Sequence, residues 1–136
     1  MNLPHNWQQK TLETLENKNW GDPDEAPTGL VKRCLQLRRK PLDTFTIEDL
    51  RSMIGQQIGL PYLIPLAIEQ LKENLFAEGD LYEGDLLHSV LKVDTVFWND
   101  NEAYWQQVNV LIQPKLQEIA EEKFDTVKFY HCKYAR

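Results

Sequence analysis

Cysteine is scarce in this chain: Cys34 and Cys132 are the two among 136 residues, far apart and not in a C-x-x-C pair. That excludes a disulfide scaffold and a cysteine-rich zinc fold. Both thiols are expected to be reduced, with Cys34 acting as a small hydrophobe on an apolar helical face. Long apolar runs are missing too; none approaches the roughly 20 residues that a membrane span needs. The stretch from Met1 to Trp7 has no basic start followed by apolar residues, so no export signal is expected and the expected location is cytoplasmic. Internal repeats, heptad runs and low-complexity segments are absent. So is a phosphate loop: residues 55–59 lack both the glycine spacing and the Lys-Ser/Thr pair.

Histidine is equally sparse. His88 follows Asp85 by three positions and His131 adjoins Cys132. Neither pair completes a ligand set or matches a zinc spacing, so no metal site is expected. A nucleophile pair of Cys34 with His88 or His131 is the enzyme option that the residue types leave open. No two carboxylates are marked as buried or opposed. No catalytic residue, cofactor site or small-molecule substrate site is expected, and the protein is read as a non-enzyme.

Charge is plentiful but one-sided. The net charge is −6, which argues against nucleic acid as the main partner. Lys32, Arg33, Arg38, Arg39 and Lys40 form a basic cluster, for which complementing a helix C-terminus is the plain structural role. Residues 53–100 instead hold eight acids against Lys72 and Lys92. A face of that kind suits a basic protein partner through steering, or serves solubility alone.

The apolar periodicity is helical throughout, and the expected fold is all-α, a compact single-domain bundle of about five to seven short helices over 1–136. A first helix is expected over 7–18, closed by Gly21 and Pro23. A second follows over 28–39, with Thr28 as N-cap and Leu30, Val31, Cys34, Leu35 and Arg38 on one face. A third starts at Thr46 with acids in its first turn and runs through Leu50, Met53 and Ile54 to Gln57, with Gly59 expected at the left-handed closing position. Pro61 fits the first turn of a fourth helix, which buries Leu63, Ile64, Ala67, Ile68 and Leu71. Gln56 and Gln57, in the joint between these two helices, are expected to satisfy local backbone groups. A fifth helix covers 85–91, and Val96-Phe97-Trp98 reads as an apolar turn. A long helix over 101–123 carries Tyr104, Val108, Leu111, Ile112, Leu116 and Ile119, and Pro114 should kink or divide it. Residues 126–132 have strand-like composition but no partner strand, and are read as a packed tail.

The most site-like segment is Glu78-Gly79-Asp80-Leu81-Tyr82-Glu83-Gly84-Asp85. Four carboxylates surround a tyrosine, and glycines permit tight turns. Three roles suit it: a mimic of an anionic substrate, a cation site that lacks the calcium-loop order of ligands, or a solvated connection.

Several ordered motifs resemble one family. Residues 15–23 and 34–42 are similar to its opening. The closest likeness spans residues 46–67, including Gly55-Gln56-Gln57-Ile58-Gly59-Leu60-Pro61-Tyr62-Leu63-Ile64-Pro65, and continues through Ala77-Glu78-Gly79-Asp80-Leu81-Tyr82-Glu83-Gly84-Asp85-Leu86-Leu87. These resemble the immunity proteins of bacterial contact-dependent growth inhibition (CDI) systems, over about residues 12–93, with the helix and tail over 94–136 beyond the likeness. The resemblance implies a protein that binds the C-terminal toxin domain of a cognate CDI effector, often a nuclease, and blocks its active site or substrate groove. It implies no catalysis, no cofactor and no membrane partner. Charge density and an aromatic anchor make Glu78, Asp80, Tyr82, Glu83 and Asp85 the expected toxin contacts. The competing reading is a small acidic adaptor or regulatory module unrelated to toxin immunity.

Overall fold

The structure, a computed structural model, describes residues 3–132. Positions 1–2 and 133–136, the two ends of the single-domain range expected from length, lie outside them. The described residues are helical and contain no strand. They form eight α-helices and five single 3-10 turns, in two compact units divided between Thr46 and Ile47.

In the first unit, α1 (Leu12–Glu16) and α2 (Gly29–Arg38) bury Leu12, Cys34, Leu35 and Leu37. The helix expected over 7–18 is divided. Residues Trp7–Gln9 form a 3-10 turn, and Thr11 starts α1 by accepting a hydrogen bond from the Thr14 N–H. An N-cap of this kind satisfies a donor that the first helical turn leaves orphaned. Closure also comes earlier than Gly21. Asn17 takes the left-handed conformation, and the Lys18 N–H reaches back to the Glu13 carbonyl, which is the Schellman closure. Thr28 caps α2 as expected, through the Val31 N–H. Leu30 and Val31 are nevertheless exposed.

The basic end of α2 holds this unit together. Arg38 is 1% exposed. Its guanidinium pairs with Glu16, donates to the Lys18 carbonyl at 2.8 Å and lies 3.9 Å over the Trp20 ring. Arg39 pairs with Glu13 at 3.0 Å and donates to the Gly21 carbonyl. The two arginines therefore fasten the irregular segment after α1 onto α2.

In the second unit, α3 (Ile47–Gly55) packs against α4 (Leu60–Glu73) and α5 (Asp85–Leu91). Then come α6 (Thr95–Asn99), α7 (Glu102–Ile112) and α8 (Leu116–Glu121). The segment expected as an apolar turn is α6, capped by the Asp94 side chain, with Trp98 fully buried. Pro114 divides the long helix into α7 and α8 through a 3-10 turn. Pro65 lies inside α4, which is continuous across it. The buried face of α4 is the expected one: Leu63, Ile64, Ala67, Ile68 and Leu71. The tail is packed and not extended. Phe129 is fully buried, stacks on Trp105 at 5.1 Å, and accepts the Trp105 indole N–H on its carbonyl.

The joint between α3 and α4 differs from expectation in one residue. Gln57, not Gly59, closes α3 in the left-handed conformation, with the Ile58 N–H bonded to the Met53 carbonyl. Gly59 is also left-handed, but it stands as the N-cap of α4. Nor is the Gln57 side chain local: its amide accepts from the Asp94 N–H at 3.0 Å and donates to the Lys92 carbonyl at 3.4 Å. It thereby clamps the α5–α6 turn. Replacing Arg38 by Ala should cost about 1.5–3 kcal/mol, because its charge-assisted bonds to Glu16 and the Lys18 carbonyl are lost; urea unfolding followed by tryptophan fluorescence measures it. A loss below about 1 kcal/mol, the value of a surface pair, would contradict this role.

Candidate functional site

The acidic loop is folded by carboxylates that it does not display. Asp85, the first residue of α5, is 1% exposed. Its Oδ1 accepts the Gly79 N–H at 2.7 Å, and its Oδ2 accepts the N–H groups of Leu81 at 3.0 Å and Tyr82 at 3.4 Å. Glu48, in the first turn of α3, accepts the Asp80 N–H at 2.8 Å. Arg51 sits between the two carboxylates. It bonds Glu48 through Nε at 2.6 Å and Nη2 at 2.5 Å, and its Nε lies 3.8 Å from Asp85. Four consecutive loop positions are thus fixed by charge-assisted bonds, which are stronger than neutral ones.

Two glycines make this possible. A Cβ at Gly79 would fall 2.7 Å from Glu48 Oε1 and 3.1 Å from Asp85 Oδ2. Gly84 has φ +86°, and a Cβ there would meet the Phe124 ring at 2.6 Å. Phe124 is delivered by the end of α8. Lys123 turns left-handed and the Phe124 N–H bonds the Ile119 carbonyl, another Schellman closure. Phe124 then stacks on His88 at 5.0 Å. His88 Nδ1 in turn shares a hydrogen bond with the Tyr82 hydroxyl at 2.5 Å.

The five expected contact residues therefore separate into two groups. Glu78, Asp80, Tyr82 and Glu83 are exposed, whereas Asp85 is internal and shapes the loop. The structure adds partners that the sequence reading did not connect to the loop. A cleft of about 330 Å³ is lined by Phe76, Glu83, the α8 side chains Glu118 and Glu121, and Glu122, the residue that closes α8. The E-I-A-E-E run of α8 was visible in the sequence, but the chain reversal that brings it opposite Glu83 was not.

Charge states follow from these contacts. The bonds from Arg51 hold the Glu48 carboxyl below its ordinary value despite some burial. Burial, helped by the Lys92 charge, lowers His88 below its ordinary value, against a weaker pull from Asp125. The shift favours the uncharged ring, whose Nδ1 shares the hydrogen bond with Tyr82. Burial pushes the Cys34 thiol up, which disfavours the thiolate that a nucleophile needs. Among the described residues no three His, Cys, Asp or Glu side chains group to hold a metal ion. No described helix is long and apolar enough to cross a membrane.

The family model of the CDI immunity proteins matches residues 14–108. The chain belongs to this family. The match begins close to the start of the resemblance and extends past Val93 through α6 and into α7, so α6, with its buried Trp98, is part of the family region. For this CDI immunity protein the acidic loop, α3, α4 and α5 all lie inside the matched residues. The glutamates of α8 lie beyond them. The family is generally non-enzymatic and implies binding of a cognate CDI toxin. No curated protein matches the chain.

Replacing Asp85 by Asn keeps the shape but turns a charged acceptor into a group with donors facing donors. The expected cost is about 2–3 kcal/mol, with faster amide exchange at Gly79 and Leu81; unchanged exchange would exclude Asp85 as the organiser. Glu48 has a depressed folded-state pKa, so its contribution is complete above the ordinary value of 4.5 and is lost as pH falls through the depressed one. Stability measured from pH 6 downward should therefore fall in acid, and Glu48→Gln should flatten that limb.

Proposed function

We propose that this CDI immunity protein binds and neutralises the toxin domain of its cognate effector, a nuclease, by presenting a prefolded acidic surface to the toxin's basic substrate groove. The whole chain acts as one immunity domain in the cytoplasm, without catalysis of its own. Glu78, Asp80, Tyr82 and Glu83 meet the toxin, and Asp85 holds them in place.

One observation carries this reading: the loop's exposed acids ride on a backbone fixed from inside by Asp85 and Glu48. A loop ordered before contact loses little entropy on binding. Its acids stand where an anionic nucleic-acid backbone would otherwise lie, and they steer a cationic partner toward the site. Tyr82, 43% exposed with its hydroxyl already bonded to His88, supplies rigid apolar area at the centre of the charge. The α8 glutamates extend the acidic surface across the cleft. A lasting block requires an interface of about 800 Å² per partner and an affinity near nanomolar, about −12 kcal/mol.

The test is a double charge reversal, Glu78→Lys with Glu83→Lys. Both side chains are exposed, so the melting temperature should stay within a few degrees. Association with the cognate toxin domain should slow about tenfold to a hundredfold at low salt, with a weaker salt dependence. Rescue of toxin-expressing cells should weaken in parallel. Equal association rates for wild type and variant would reject the loop as the contact surface.

A further inference from the structure

A second cleft, of about 270 Å³, opens between α3 and α5, with Tyr82 in its wall. We propose that it receives an acidic side chain of the toxin, as a cationic socket set into an otherwise acidic binding surface. This rests on the immunity reading above and specifies part of its interface.

The cleft is lined by Arg51, Gly55, Gln56, Tyr82, Ser89 and Lys92, among others. Three donors there have no partner among the described residues: the Gln56 side-chain amide, the Ser89 hydroxyl and the Lys92 ammonium. Arg51 and Asp85, which also reach this wall, are already engaged with Glu48 and the loop amides. The available chemistry is thus one cation and two neutral donors, a set that suits a carboxylate. The volume is below the usual range for a small-molecule pocket, about 300–1,000 Å³, and suits a side chain better than a free ligand.

The backbone of the socket is fixed and its floor is open. Gly55 has no side chain, and a Cβ there would stand 3.7 Å from Ser89 Oγ; the glycine keeps the space above Ser89 open. Gln57 bonds the Lys92 carbonyl and the Asp94 N–H, which fixes the backbone that carries Lys92. An acidic toxin residue seated here would be repelled by the rest of the acidic surface unless it met Lys92. That makes the socket a device for register and for discrimination among toxins.

The sign of one substitution separates this socket from bulk electrostatics. Lys72 and Lys92 are the two lysines of the acidic segment, and Lys72 is exposed and pairs with Glu69 outside the cleft. If net charge alone governs binding, Lys72→Glu and Lys92→Glu should both leave the affinity for the basic toxin domain unchanged or increase it. The socket requires Lys92→Glu to weaken binding about tenfold to a hundredfold while Lys72→Glu does not. One acid-to-lysine reversal on the toxin should then restore the Lys92→Glu complex and weaken the wild-type one. Calorimetric titration with the cognate toxin domain, at fixed salt, reads all of these. Wild-type binding with Lys92→Glu within twofold of it overturns the socket and leaves the immunity role standing. Absence of wild-type binding overturns both.

Discussion

The buried carboxylate of Asp85 is the interaction on which the acidic loop depends. An isolated charge in that position would be costly, and the chain compensates with three backbone donors and a guanidinium nearby. Those same bonds remove the loop's freedom. An otherwise flexible glycine-containing connection becomes a fixed platform, and the remaining acids point outward because Asp85 and Glu48 occupy the inside. Negative charge thus serves two purposes within a few residues: some carboxylates build the surface and others constitute it.

The aromatic side of the loop is fixed by an independent device. The end of α8 returns Phe124 to the ring of His88, which holds the Tyr82 hydroxyl. Gly84 stands where the rings of Phe124 and Phe76 leave no room for a Cβ. The loop is therefore pinned by carboxylates of α5 and α3 on one side and by ring packing from the end of α8 on the other. The loop lies inside the residues matched by the family model, and the α8 glutamates that face it lie beyond them.

Much of the fold was legible in sequence because it is written in helical periodicity. The stripe of α4, the Thr28 cap, the start of α5 at Asp85 and the division at Pro114 all follow from local rules. What escaped was conformational choice and distant pairing. Left-handed closures fall on Asn17, Gln57 and Lys123, whereas a sequence reading favours glycine, whose φ > 0 costs least. Gln57 bears this conformation while its amide holds Lys92 and Asp94, a benefit invisible without the packing of α5 against α3. Val96–Trp98 is too short for periodicity to register, yet Asp94 caps it into a helix. In the site, the density of acids was plain, but the division between buried Asp85 and its exposed neighbours was not. No local pattern states that three amides turn inward onto one carboxylate. The α8 glutamates and Lys92 are visible as residues, and only the tertiary fold places the glutamates opposite Glu83 and Lys92 in one cleft with Tyr82.

Hydrogen–deuterium exchange on the free protein and on its complex with the toxin domain tests the central claim directly. The amides of Gly79, Asp80 and Leu81 should already exchange more slowly than a solvated loop in the free protein, and residues 78–85 should gain further protection in the complex. Free-coil exchange before binding, or a tight complex that leaves residues 78–85 unprotected, would contradict a prefolded acidic loop as the toxin-binding surface.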